Sequence, residues 1–181
     1  MTLKEMKSRV LSLIEEINPQ SDYLTDDPDI QEKINYVIDI KNHQLARIKK
    51  LASIETIDVK ENNQVDLYEE FSNFYKLKNI TGVNYDLFEN IVTFKENGRA
   101  TIKYYRYPKS ITKETDDTKY KFELSEDVLS VMIYGIASDL LKNDVSAQYG
   151  RIYEQAYQNG LQLLDTSIND GTVSIKGGIY V

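Results

Sequence analysis

Few residues here have the types and spacing that chemistry requires. The chain has 181 residues, one histidine (His43) and no cysteine. Disulfides, thiolate metal sites and His-His zinc sites are therefore excluded. His43 lies mid-helix between Asn42 and Gln44. No motif supplies it with a nucleophile or an orienting carboxylate, so it reads as an exposed helical side chain. Asp22, Asp26, Asp27 and Asp29 invite a calcium reading, but the glycine and final glutamate of an EF-hand loop are missing. Helix capping accounts for them instead. Asp116 and Asp117, with lysines on both sides, read as solvated charge. Neither Gly-rich phosphate loop occurs. Carboxylate pairs of the glycosidase kind have no spacing in their favour. Lys41, Arg47, Lys49 and Lys50 suit the negative end of a helix dipole better than a DNA patch. Tyr104, Tyr105 and Tyr107 beside Arg106 have the types that stack single-stranded bases, yet in an acidic chain they read as cross-strand packing. The sequence assigns no catalytic, cofactor or metal residue.

The balance of 22 basic against 29 acidic residues, net -7, argues against a dedicated nucleic-acid binder. With 41% hydrophobic and 28% charged residues, the chain has what a folded core needs. No apolar run approaches the ~18 residues of a membrane span. The N-terminus lacks the continuous apolar stretch of a secretory signal. Fourteen Tyr without a Trp suit half-buried surfaces and interfaces.

The hydrophobic period divides the chain. Residues 2–17 and 28–51 read as amphipathic helices, the first capped by Thr2 and stopped by Pro19, the second opened by Asp27 and Pro28. From 53 to 123 a period of two takes over. Asn97-Gly98, between IVTFKE and RATIKYY, predicts a two-residue hairpin. Ala100, Ile102 and Tyr104 should face one way, Lys103, Tyr105 and Tyr107 the other. Helices return at 125–143, capped by Ser125, and at 146–165, joined through Lys142-Asn143-Asp144 as an antiparallel hairpin. Val128, Ile133, Ile136 and Leu140 should be core. The second helix carries a stripe from Tyr149 and Ile152 to Leu164, where Ala156 and Gly160 permit close approach.

The expected fold is α+β: a bundle of about four helices (1–52 and 124–167) with an inserted antiparallel β-rich subdomain (53–123) and an extended C-terminal arm (168–181). The arm is the candidate partner-binding segment. From Thr172 on, Val173 and Ile175 alternate with polar residues, Gly177 and Gly178 form a joint, and Ile179, Tyr180 and Val181 end it. Such a strand can add to a neighbour's sheet edge.

Two stretches carry a family texture: INYVIDIKNHQLARIKKL at 34–51 and FELSEDVLSVMIYGIASDLLKNDVSAQYGRIYEQAYQNGLQLL at 122–164. A segment of Ala-Ser-Asp-Leu-Leu type (Ala137–Leu141) leads by a short acidic turn into a Tyr-rich helix (Tyr149–Tyr157), with YRYP ahead of the hairpin. In this layout the chain resembles the head–tail connector (adaptor) proteins of tailed bacteriophages. The resemblance implies a structural, non-enzymatic neck protein, made in the host cytoplasm and residing in the virion. It implies a homo-oligomeric ring, commonly of twelve copies, docked beneath the portal protein. That ring extends the DNA channel and offers a platform to a downstream neck or tail protein. DNA passes through without specific binding, and no membrane is involved. The β-rich insert departs from the compact all-helical members, so stopper and tail-completion roles stand beside the adaptor role. Outside that class stands a cytoplasmic module that binds a protein or small ligand.

Overall fold

The computed structural model describes residues 1–18, 20, 24–142 and 147–166. In chain order its elements are helix α1 (Leu3–Leu13), helix α2 (Pro28–Lys49), strands β1 (Ala52–Val59) and β2 (Gln64–Asp66), the short helix α3 (Leu67–Glu70), strands β3 (Phe74–Thr81), β4 (Tyr85–Phe88), β5 (Ile91–Phe94) and β6 (Gly98–Arg106), and helices α4 (Glu126–Leu141) and α5 (Ala147–Thr166). The fold is mixed α+β, with five helices and two three-stranded antiparallel sheets among the described residues. No described helix is long and apolar enough to cross a membrane. Asn143 and Asp144 of the expected Lys142-Asn143-Asp144 connection and the arm at 168–181 lie outside the described residues, as does Pro19.

Local chemistry sets the helix ends. Thr2 and Glu5 form a reciprocal capping box on α1. The helix ends at Leu13 rather than running to 17, because the chain turns at Glu15 (φ 63°), well before the proline. Ile14 and Ile17 still pack on the helical core after the turn. Asp27 accepts from the amides of Asp29 (2.8 Å) and Ile30 (3.2 Å), with Pro28 in the first helical turn. Lys50 closes α2 in the left-handed conformation. Ser125 stands at the N-cap of α4, but its hydroxyl makes no capping bond there.

α4 is the hub of the helices, touching α1, α2 and α5. Val128, Leu129, Met132 and Ile136 are fully enclosed, whereas the expected core residues Ile133 and Leu140 are only half-buried at its flanks. α5 runs antiparallel to α4: Gly150 lies by Leu141, Glu154 by Ser138, Tyr157 by Gly135 and Gly160 by Val131. A Cβ at Gly135 would come within 2.9 Å of the Tyr157 ring, and one at Gly160 within 2.7 Å of a Val131 methyl. These absences of side chain let the two helices close. Tyr157 and Leu164 mark the buried line of α5, and Tyr149 and Ile152, expected in the stripe, are exposed beside it.

The two sheets share a second apolar cluster. Sheet order is β1-β6-β3 in one and β2-β5-β4 in the other. Val59, Ile80, Ala100, Ile102 and Tyr104 from the first meet Val92 and Phe94 from the second, with Leu67 and Phe71 around α3 completing it. The alternation along β6 is as the sequence predicts, with Ala100, Ile102 and Tyr104 inward. The Asn97-Gly98 hairpin is not formed. β5 pairs with β2 and β4, and β6 with β1 and β3, so the arms flanking Asn97 belong to different sheets. Neither Asn97 nor Gly98 has positive φ; the Asn97 side chain accepts from the Glu61 amide at 2.9 Å. The two-residue hairpin is instead Glu89-Asn90, between β4 and β5, with Glu89 at φ 54°. Leu67, read as part of an alternating strand, opens α3, where Asp66 caps the amide of Tyr68. The piece at 119–124 makes only an isolated bridge, Thr2 to Lys121. Ile111, Phe122 and Leu124 pack with the helical cluster rather than with the sheets.

Three substitutions check this packing. Ile136→Ala should lower the unfolding free energy by about 2–5 kcal/mol in urea titration. Gly135→Ala should also destabilise, by about 1–3 kcal/mol, because the new methyl meets a buried ring. Gly150→Ala, whose Cβ finds nothing closer than 3.4 Å, should stabilise by ~0.4–1 kcal/mol.

Candidate functional site

The predicted partner-binding residues, Thr172, Val173, Ile175, Gly177, Gly178, Ile179, Tyr180 and Val181, lie outside the described residues. The other chemistry-bearing residues are placed by the fold, several of them against expectation. His43 is half-buried rather than exposed: its ring packs 5.3 Å from that of Tyr107, and its Nδ1 lies 2.9 Å from the Asp39 carbonyl oxygen. Asp39 in turn accepts the Ile111 amide at 2.7 Å, so this corner ties α2 to the segment after β6. Asp117 is not merely solvated; it takes two hydrogen bonds from Lys7, at 2.7 and 2.8 Å. Asp116 accepts from the Thr118 hydroxyl and amide and from Lys119, which holds its carboxyl down at about 2. Tyr104 is separated from Tyr105 and Tyr107 by the pleat and is buried, its hydroxyl donating to Glu55. Arg106 is engaged by Glu123.

Lys41 is the largest departure from the sequence reading. It is no surface cation: only 6% exposed, it pairs with Asp139 of α4 at 2.9 Å and lies 4.8 Å over the Tyr157 ring of α5. Lys142 also pairs with Asp139. Burial works to raise the Asp139 pKa, but hydrogen bonds from Lys142 and Lys41 outweigh it and hold the carboxyl below its ordinary value. Ser138 donates to Glu154 at 3.1 Å one residue away. Burial pushes the Tyr157 hydroxyl up to about 12. A second polar chain runs from Asn42, whose Nδ2 donates to Tyr120 Oη (3.1 Å), to the Lys109 carbonyl, which accepts from Tyr120 at 2.7 Å. Burial raises Tyr120 to about 12 as well, so both phenols stay protonated across the physiological range. These groups hold helices and loops in register; they place no nucleophile against a base.

Exposed apolar residues gather in two places. On the second sheet, Phe88 and Ile91 are directly paired across β4 and β5 at the hairpin end, and Phe88 is 74% exposed. Tyr68 and Leu87, also exposed, line the adjoining groove of about 370 Å³ between α3, β3 and the hairpin. On the helices, Ile152 is 60% exposed beside exposed Tyr149, and Tyr134 of α4 contacts the neighbouring Tyr153 ring. Monomeric proteins seldom leave apolar clusters open without a use for them. The sequence signal for the first was YDLFENIV, whose alternation is broken by two adjacent apolar residues, Leu87 and Phe88.

The ion pair makes a pH-dependent prediction. Because the folded pKa of Asp139 is depressed, its stabilisation is complete above the unfolded value of about 4 and is lost as pH falls through the lower folded value. Asp139→Ala should cost about 3 kcal/mol at pH 7, leaving Lys41 buried and unpaired, whereas Asp139→Ala/Lys41→Met should recover most of that loss. Thermal melts from pH 7 to pH 2 should show a shallower acid decline in Asp139→Asn than in the parent. In comparison with known proteins, no family model matches the chain and no curated protein is significantly similar to it.

Proposed function

We propose that this protein is a structural neck component of a tailed-phage virion, a head–tail adaptor that forms a ring beneath the portal. In this reading the helices are a bundle and the β-rich stretch is a lobe inserted into it; the separate apolar clusters of helices and sheets support that division. The observation that carries the ring is the pair of distinct exposed apolar surfaces, Phe88 with Ile91 on the second sheet and Ile152 with Tyr149 on α5. A head-to-tail ring needs two different surfaces on each subunit, one to give and one to receive, and closes when the rotation between subunits allows. A two-fold dimer needs only one. The arm at 172–181 is the proposed contact to the portal or to the adjacent subunit, and the free end of the ring is the platform for the next neck component.

Native mass spectrometry of the purified chain tests this reading. The parent should form a closed ring. Phe88→Asp and Ile152→Asp should each be monomeric with unchanged melting points, since both side chains are exposed. Mixed together, the two variants should form dimers and nothing larger, because one intact pair of surfaces remains. A parent that stays monomeric at every concentration, or variants that still close rings, would remove the proposal. Deleting 172–181 should leave helicity and melting point nearly unchanged and abolish docking or closure.

A further inference from the structure

The outer face of the first sheet is unlike the rest of this acidic chain. Tyr105 stands on it opposite Lys76, and the β3 bulge between Phe74 and Lys76 brings Tyr75 onto the same side. The Tyr75 ring lies 6.1 Å from Tyr105 in a stacked arrangement and 4.9 Å from Tyr107. Lys78 Nζ sits 5.8 Å over the Tyr105 ring. Two residues before Tyr105, Lys103 rises between Ile54 and Asn79. Lys76, Lys78 and Lys103 form no ion pair with any other described residue. Arg47, exposed on α2, adds a further cation beside Tyr75, whose hydroxyl approaches the Arg47 carbonyl. The acid on β1 that shares this face, Asp58, is already opposite Arg99 and paired with it.

We propose that this face binds single-stranded nucleic acid without sequence preference. The chemistry is that of a stacking platform: half-buried aromatic rings on the outer sheet face receive bases, and flanking lysines that make no ion pair among the described residues receive phosphates. The opposite face of the sheet is sealed against the second sheet, so only this one is available. Net charge does not oppose it, because a chain at -7 that keeps three unpaired lysines together has segregated its positive charge. The tyrosines favour a single strand over a duplex, whose bases are already stacked and present only a backbone to a flat sheet. The proposal does not depend on ring formation; monomer or ring leaves the same face to be tested.

Fluorescence anisotropy of the full chain with labelled oligo(dT) of about 20 nucleotides decides it. Duplex DNA of equal length and heparin are the comparison ligands. The single strand should bind at least about tenfold tighter than the duplex, with a log K against log salt slope near -2 for three phosphate contacts. Lys76→Gln/Lys78→Gln should weaken binding and flatten that slope by about 1.4. Tyr105→Ala should weaken binding about tenfold, and Tyr105→Phe should restore it. If Tyr105→Ala loses its cooperative melt, the exposed lysine pair decides alone. Duplex bound as tightly as the single strand, heparin binding weakened by Tyr105→Ala as much as oligo(dT) binding, an unchanged oligo(dT) affinity on removing both lysines, or no binding at low salt would each overturn the proposal.

Discussion

Burial of α4 is the constraint on which the helical half rests. A helix apolar on most of its circumference cannot lie at a surface, so it must be covered from several directions at once. α1, α2 and α5 supply that cover, and the segment after β6 contributes Ile111, Phe122 and Leu124. The closeness of α5 follows from two glycines, one on each helix. Gly135 makes room for the Tyr157 ring and Gly160 for Val131, so each helix receives a projection of the other. Interiors at this density do not absorb even one methyl without displacement.

Within that apolar setting, Lys41 and Asp139 are conspicuous. Taking two charges from water is costly, and their attraction offsets the cost only with good geometry and further partners. Here Asp139 has a second cation in Lys142, and the Lys41 ammonium lies over the Tyr157 ring. The pair joins α2 to α4 at one fixed register, since neither charge tolerates a slip that separates them. Nearby, Ser138 and Glu154 do the same for α4 and α5. Apolar stripes bring helices together over a range of offsets; such polar contacts select one.

The sheets provide a different kind of surface. Their inner faces are consumed by a common core, which leaves the hairpin end at Phe88 and Ile91 and the outer Tyr–Lys face of the first sheet open. The first is apolar and suits protein; the second is cationic and aromatic and suits a polyanion that has bases.

Helix existence was legible in the sequence because capping and period are local. Asp27-Pro28, the Thr2 cap and Val128, Leu129, Met132 and Ile136 of the α4 stripe each act within a few residues, and the structure places them as read. The alternation along β6 was legible for the same reason. Strand partnership was not. Asn97-Gly98 has the composition of a hairpin turn, but the core shared by two sheets sends its flanking strands to different partners, and the hairpin moves to Glu89-Asn90. Nor does spacing reveal that Lys41 leaves its place among surface cations to meet Asp139, almost a hundred residues on in the chain. Tyr75 joins Tyr105 and Tyr107 only because β3 lies beside β6. Local propensities determine elements; pairing between distant segments is decided by which faces must be buried together, and that is settled only when the whole chain has folded.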